Sequence, residues 1–291
     1  MITVFSFGLG QESLALLYKL ATDTGFYVKH VRGKLLIVGS DTGNEHPHTY
    51  ALLPMIKEFC FKRGFNFYWI TKEMGFHSKA WQSLTGQYKR NKSIGSAAFR
   101  QTCTDNLKVK VVDNFVEHWL WDHTTFTETR KRAYRRYAEA HGKFRLILGF
   151  AKGEEHRIEN GNKYDPIWKK ATVERHYPLL IEGMDRQQCI TINELAWTQT
   201  VWPSNCMLCF YQSDQEILWL YRNYPERFKE WVEMEQEKLK KYKDEPKNYG
   251  VYGKINLIEK LRKANYLYGH WTDEELNDYK FSHGHCQRTT Y

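Results

Sequence analysis

Hydrophobic and polar positions near the start of the chain fall into two kinds of run. Ile2-Thr3-Val4-Phe5-Ser6-Phe7 is mostly apolar and β-prone, and Leu35-Leu36-Ile37-Val38 is apolar throughout. Between them Leu14, Leu16, Leu17 and Leu20 recur at helical spacing, after a glycine turn at Gly8-Leu9-Gly10. A second helix is predicted from about His48 to Arg63, and a third strand from Phe65 to Ile70. Apolar strand runs alternating with amphipathic helices imply a parallel sheet covered on both faces.

From 73 to 100 that rhythm is lost. Gly75, Gly86, Gly95, Ser93 and Ser96 predict a long loop, of the kind that is usually functional or disordered. A helix is expected from Asp105 as N-cap, a basic helix over Arg130 to Arg136, and a strand over Phe144 to Phe150. Tyr177 to Ile181 reads as an extended edge, followed by a helix after Met184. Two helices follow, over Asp214 to Tyr224 and Pro225 to Lys243, with Pro225 suited to a first helical position. The residues from Tyr249 onward read as a basic, aromatic tail. The pattern divides the chain into an α/β unit over 1–200 and an appendage over 201–291.

Composition narrows the partners. There are 43 Lys and Arg against 34 Asp and Glu, a net charge of +9. This excludes an acidic disordered tail protein and favours anionic partners such as nucleotides and nucleic acid. No apolar run approaches the roughly 20 residues of a membrane span, so no membrane partner and a cytoplasmic location are expected. Six cysteines in a reducing compartment point to metal binding or thiol chemistry rather than a disulfide frame.

The first glycine turn carries chemistry. A strand feeding a glycine loop and then a helix aims unpaired amide groups and the positive helix end at one point, which suits an anion. Gly8 and Gly10 let the backbone approach closely, and Ser13 adds a hydroxyl. Substituting Gly10 by a β-branched residue is expected to crowd a backbone angle that only glycine tolerates. No Lys precedes Ser13, so this is not a Walker loop. A dinucleotide fingerprint would need a third glycine where Ser13 stands, although Asp41 could serve as its ribose acceptor.

Further segments favour one reading. Ser6-Phe7-Gly8-Leu9-Gly10-Gln11-Glu12-Ser13 resembles the pyrophosphate loop of the adenine nucleotide α-hydrolase superfamily. Asp41-Thr42-Gly43-Asn44-Glu45-His46-Pro47-His48-Thr49-Tyr50 resembles an element of the phosphoadenosine phosphosulfate (PAPS) reductases. Cys103-Thr104 with Lys108 and Gly149-Phe150-Ala151-Lys152-Gly153-Glu154-Glu155-His156-Arg157 resemble further elements, as do Tyr177-Pro178-Leu179, Arg186, Cys189 and Ser204 to Cys209. Together, over roughly residues 1 to 230, they resemble the four-cysteine, PAPS-reductase-like branch.

The resemblance implies an α/β fold, a Rossmann-like (HUP-type) parallel sheet with helices on both faces and a helical C-terminal appendage. It implies ATP or a related adenine nucleotide at the sheet's C-terminal edge. Ser6, Phe7, Gly8, Gly10 and Ser13 would hold the phosphates, and Thr42 and Gly43 would line the nucleoside. Lys108, Glu154 and Arg157 would close the site. Glu12 stands where related loops carry Asp; it would serve either as a Mg²⁺ ligand or as a first-turn acid favoured by the helix dipole. Cys206-x-x-Cys209 is a chelating spacing, and with Cys103 and Cys189 it would bind Zn²⁺ or a [4Fe–4S] cluster. Cys60 lies in an apolar helix and reads as core. Cys286 is the candidate nucleophilic thiol of a reductase.

Lys89, Arg90, Lys92 and Arg100 in the long loop, and Arg132, Arg135 and Arg136 in the basic helix, are candidate phosphate contacts for a nucleic acid, DNA more than RNA. Trp81, Tyr88, Tyr134 and Tyr137 are interleaved with them as candidate stacking rings. The functions kept open are a nucleotide-dependent enzyme of nucleic acid modification, a PAPS or adenylyl-sulfate reductase acting on a small adenosine phosphosulfate, and a non-catalytic nucleotide-gated DNA-binding module. The sequence does not fix the oligomeric state.

Overall fold

In a computed structural model, the structure describes all residues except Arg100, 125–128, 159–164 and 284–291. Five parallel strands form one sheet in the order β3-β2-β1-β4-β5. They are β1 (Ile2–Phe7), β2 (Lys34–Ser40), β3 (Asn66–Ile70), β4 (Phe144–Leu148) and β5 (Val173–His176). This is the Rossmann-like α/β arrangement. β1 and β2 are buried almost throughout because helices cover both faces, which is why their sequences are mostly apolar rather than alternating.

One face is covered by the helix Gln11–Thr22, whose Leu14, Leu16, Leu17 and Leu20 pack with Phe5, Phe7 and Ile37. The helix Arg186–Ala196 packs against that first helix and contributes Cys189 to the same core. On the other face lie the helices Lys110–His123 and Ala133–His141, with Val111, Phe115, Trp119 and Tyr134 against Val4, Val38 and Leu146. The chain runs outward from β1 through β2 to β3, then crosses back to β4 on the other side of β1. The topological switch point therefore lies between β1 and β4, where open α/β sheets present their ligand crevice at the carboxyl ends of the strands.

Four local expectations are corrected. Tyr177 to Ile181 is not an extended edge: β5 precedes it, and Pro178–Ile181 is a short helix with proline at its start. The loop from 73 to 100 contains a helix, Leu84–Asn91, capped by the Ser83 hydroxyl. The helix expected from Asp105 begins ahead of it, at Cys103, with a wide turn over Asp105–Val109 in which hydrogen bonds span five residues before Lys110–His123. The chain after Tyr249 is folded into the helices Leu257–Tyr268 and Asp273–Ser282, each started by a capping box, Asn256 with Glu259 and Thr272 with Glu275. These helices share a core with Leu84, Tyr88 and Leu107, so the appendage packs on the long loop.

Candidate active site

The cleft at the switch point is lined from one end by the first glycine turn and from the other by the apolar crevice between β4 and the helix Lys110–His123. Leu9, not a glycine, takes the left-handed conformation in the turn, with φ 56°. Its side chain is fully buried in the core, which holds that strained geometry. Gly10 has φ −96°, so the expectation that its backbone angle excludes other residues is corrected. What restricts Gly10 is space, since a β-carbon there would stand 3.2 Å from the Ser204 β-carbon and 3.3 Å from its nitrogen. Gly10 also begins the helix Gln11–Thr22 without a capping side chain, leaving first-turn amides without a side-chain acceptor at the cap, and Gly10, Glu12 and Ser13 line the cleft. Gly8 donates its N–H to the Ser13 hydroxyl at 3.3 Å, which folds the loop over the helix start.

Cationic side chains gather on this cradle. Arg157, Arg186 and Lys108 all line the cleft. Arg157 pairs with Glu154 at 2.5 Å and lies over the Phe150 ring, and Glu154 also accepts from the Ala151 amide. Both side chains are buried, so each charge depends on the other. Arg186 pairs with Glu12 at 3.2 Å and donates to the Gln11 side chain at 2.7 Å. Glu12 thus orients a guanidinium at the mouth; a metal there would have to compete with that charge, and the Mg²⁺ expectation gains nothing from this geometry. Ser6, Phe7, Gly8, Gly10 and Ser13 line the cleft as expected.

Asp41, Thr42 and Gly43 do not line it. Asp41 Oδ1 accepts from the Gly43 amide at 2.8 Å and from the Tyr50 hydroxyl at 2.6 Å, which ties that oxygen into its own turn. Burial, reinforced by Asp41, raises the Tyr50 phenol above its ordinary range. Gly43 has φ 65° and lies against Ser83, where a β-carbon would collide. This tight turn carries Glu45 into the cleft instead. Glu45 is buried; one oxygen accepts from Thr42 at 3.0 Å and Cys206 at 3.7 Å and pairs with Lys108 at 3.3 Å, while the other has no hydrogen-bond partner among the described residues. Reasoning from sequence assigned Glu45 no role, although it lies inside a quoted motif. The contacts that define it come from residues far along the chain.

Beside the cleft is a small cavity lined by Cys103, Cys206 and Cys209 with Thr42, Tyr88 and Gln101. Thr104 and Lys108 line both spaces, so the two adjoin. Burial, then the nearby Cys103 and Cys209, raises the Tyr88 phenol well above its usual range. Cys189 does not join these thiols. It is fully buried in the core between the helices Gln11–Thr22 and Arg186–Ala196, where burial pushes its thiol up to about 12. The expected four-thiolate site is therefore reduced to three. Among the described residues no three His, Cys, Asp or Glu side chains converge on a point for one metal ion. Cys60 is buried core as expected, its thiol raised to about 12 by burial. Cys286 lies outside the described residues.

The basic residues are scattered in their roles. Lys89 pairs with Glu230, and Arg90 donates to the carbonyls of Lys79 and Ala80, so both are structural ties. Lys92 ends the helix Leu84–Asn91 in a left-handed conformation. Arg135 and Arg136 both pair with Glu139 on an exposed face, and Arg132 is exposed beside them. Arg100 lies outside the described residues. The expected stacking rings Tyr88, Tyr134 and Tyr137 are buried core side chains, which corrects that role; Trp81 is half-buried.

No family model matches the sequence, and no curated protein does. Among solved structures the chain is similar to the U34-tRNA thiolase NcsA from Methanococcus maripaludis with its [4Fe-4S] cluster. The identity is 14% and the TM-score 0.39, over 99% of this chain and 78% of that one. A likeness at that level bears on no residue's chemistry. Among the described residues no helix is long and apolar enough to cross a membrane.

Proposed function

We propose that this chain is an adenine-nucleotide-dependent enzyme of the pyrophosphate-loop type that modifies nucleic acid. One observation carries the reading: the uncapped amides of the helix Gln11–Thr22 share a cleft with Arg157, Arg186 and Lys108, at the switch point of the sheet. Amide groups and guanidinium forks together suit phosphoryl oxygens. In this reading a substrate oxygen attacks the α-phosphorus of ATP, and the bond to the bridging oxygen breaks as pyrophosphate leaves. The loop amides and Arg157 take up the charge that develops on the leaving group, and such fixed donors supply much of the catalysis in phosphoryl chemistry. Lys108, between the cleft and the thiol cavity, faces the activated oxygen. A sulfur nucleophile then adds at the activated carbon and AMP departs with the oxygen.

Cys103, Cys206 and Cys209 would hold the metal group on the second side. Thiolates around one cavity suit either a tetrahedral zinc ion or a [4Fe–4S] cluster. When bound with three protein thiolates, a [4Fe–4S] cluster offers a remaining iron site for an exogenous sulfur. The nucleic acid partner is supported by the net charge of +9 and by the exposed Arg132, Arg135 and Arg136.

The test is pyrophosphate release from ATP, measured with and without added RNA or DNA. Release that depends on nucleic acid and disappears in Lys108→Ala is expected. Absence of nucleotide binding to the full chain, purified anaerobically, would reject the reading.

A further inference from the structure

Among the described residues two tryptophans stand well out in solvent, Trp121 at 43% exposed and Trp168 at 46%. Lone exposed apolar side chains are ordinary, so the surroundings decide whether either has a use. Trp121 stands beside His118, which pairs with Asp122 at 2.9 Å. Trp168 lies on the helix Ile167–Thr172, next to Ile167, which is 88% exposed. That helix packs against Ala133–His141, which the chain enters through the turn Arg130–Arg132. These three segments carry six exposed cations, Arg130, Lys131, Arg132, Arg135, Arg136 and Lys170, and one carboxylate, Glu139. Glu139 is shared by Arg135 and Arg136, and Arg130 pairs with Glu117 of the helix Lys110–His123, so a surplus of positive charge surrounds the open ring.

The Trp168 ring is held in place. It stands nearly perpendicular to the buried Tyr134 ring, at 79° and 5.2 Å between centroids. Its carbonyl accepts from the Thr172 hydroxyl at 2.9 Å, and its neighbour Lys169 is anchored to both carboxylate oxygens of Asp113, at 2.9 and 2.7 Å. A ring that is already ordered loses little freedom when a flat partner is laid on it. Tyr134, expected from the sequence to stack on a base, instead supports the ring that is exposed. Lys169 also lines the cleft, which sets Trp168 beside the proposed site of chemistry.

Resting on the nucleic-acid reading above, we propose that Trp168 and the cations around it form the docking surface for an unpaired strand. One base stacks on the Trp168 ring, and the phosphates on either side of it meet Arg132, Arg135 and Lys170. The ring is what selects an open strand. In a duplex the base faces are already stacked on one another, and a side chain lying on the surface meets only sugar and phosphate. An open strand offers a free base face between two phosphates, the same alternation of apolar and anionic groups that Trp168 and its flanking cations complement. The substrate of the enzyme is therefore a loop or single-stranded segment rather than continuous duplex.

Fluorescence anisotropy of a labelled single-stranded oligonucleotide, and of the duplex made from it, titrated with the full chain over a salt series, tests this. Trp168→Ala is expected to weaken single-strand binding about 5- to 100-fold, the range for one stacked base, and to leave duplex binding within about twofold. The salt slope on the single strand should not change, because no phosphate contact is lost. Trp168→Phe keeps a ring on Tyr134 and should stay within about threefold of wild type, which separates stacking from a folding defect. Arg132→Ala, by contrast, should weaken both forms and lower the slope by about 0.7 on the single strand and about 0.9 on the duplex. Trp121→Ala should change neither. On the wild-type chain, a strand carrying photoreactive iodouracil should crosslink to Trp168 on irradiation. If the strands bind but Trp168→Ala has no effect, weakens the duplex equally, or the crosslink falls only on other residues, docking at Trp168 is overturned and the nucleic-acid reading survives. If neither single strand nor duplex binds, both fall.

Discussion

The two sides of the cleft are built in different ways. The phosphate side is local: Ser6 to Ser13 form the loop, and one helix supplies its amides. The thiol side is assembled from three distant segments, with Thr42 and Glu45 from the turn after β2, Cys103 to Lys108 from the wide helical turn, and Cys206 to Cys209 from an irregular stretch. That stretch is tied to the first segment by the bridge between Glu45 and Cys206 and by the Met207 amide donating to Asn44. A local site tolerates change elsewhere, whereas a composite one depends on every tie. Substitutions should therefore separate the two sides.

The largest separation is expected at the glycines. Gly10→Val forces a side chain onto Ser204 and should lower ATP affinity more than 100-fold, at about 1–3 kcal/mol in stability from overpacking. Gly8→Ala meets only the Ser13 hydroxyl at an ordinary 3.8 Å, so stability should stay within about 0.5 kcal/mol. If the loop holds phosphate, Gly8→Ala still loses ATP affinity; titration calorimetry beside urea unfolding checks both. Unchanged affinity in both variants would dissolve the phosphate side of the comparison.

Next come the thiols. Cys206→Ser should abolish the visible absorption and iron content of anaerobically purified protein while ATP binding persists. Cys189→Ser should keep the iron and cost about 1–3 kcal/mol, by placing a hydroxyl in an apolar core. Equal iron loss in the two variants would return Cys189 to the metal site.

Acid should weaken the fold as a whole. Burial holds His48 and His176 down to about 4, below the ordinary 6.5. Lys280 adds to this at His48, and Arg145 with His30 adds to it at His176. Both imidazoles stay neutral in the folded chain while the unfolded chain takes up protons as pH falls below 6.5. Stability therefore falls as pH drops from about 6.5 towards 4, by about 1–3 kcal/mol for each histidine. Urea midpoints across that window check it, and His176→Phe should flatten the slope. Smallest is the effect of Arg135→Ala: nucleic acid binding should weaken a few-fold, and the salt slope should fall by about one charge.

How much of this could be read from the chain follows the same division. β1 to β4 and the first loop were legible because each is a mostly apolar run or a turn set by neighbouring residues. β5 was not: Val173 to His176 is polar at three of four positions, and Glu174, Arg175 and His176 are satisfied by Arg145, Asp165 and His30. Arg145 and His30 are far away in sequence, and Asp165 precedes Arg175 by ten residues. Asp41 looked like a ligand because its turn chemistry is invisible without Tyr50 beside it. Cys189 belonged to a plausible spacing, but a thiol is also a small apolar group, and the helix Arg186–Ala196 turns it into the core. Asp113 and Lys169 carry no motif; only the packing of two helices brings them together in the cleft.

The most direct measurement is a crystal structure of the full chain with a non-hydrolysable ATP analogue. The triphosphate should lie against the amides from Gly8 to Ser13 within reach of Arg157. An analogue bound elsewhere, or a first helix whose leading amides stay turned to solvent at saturating ligand, would contradict the account.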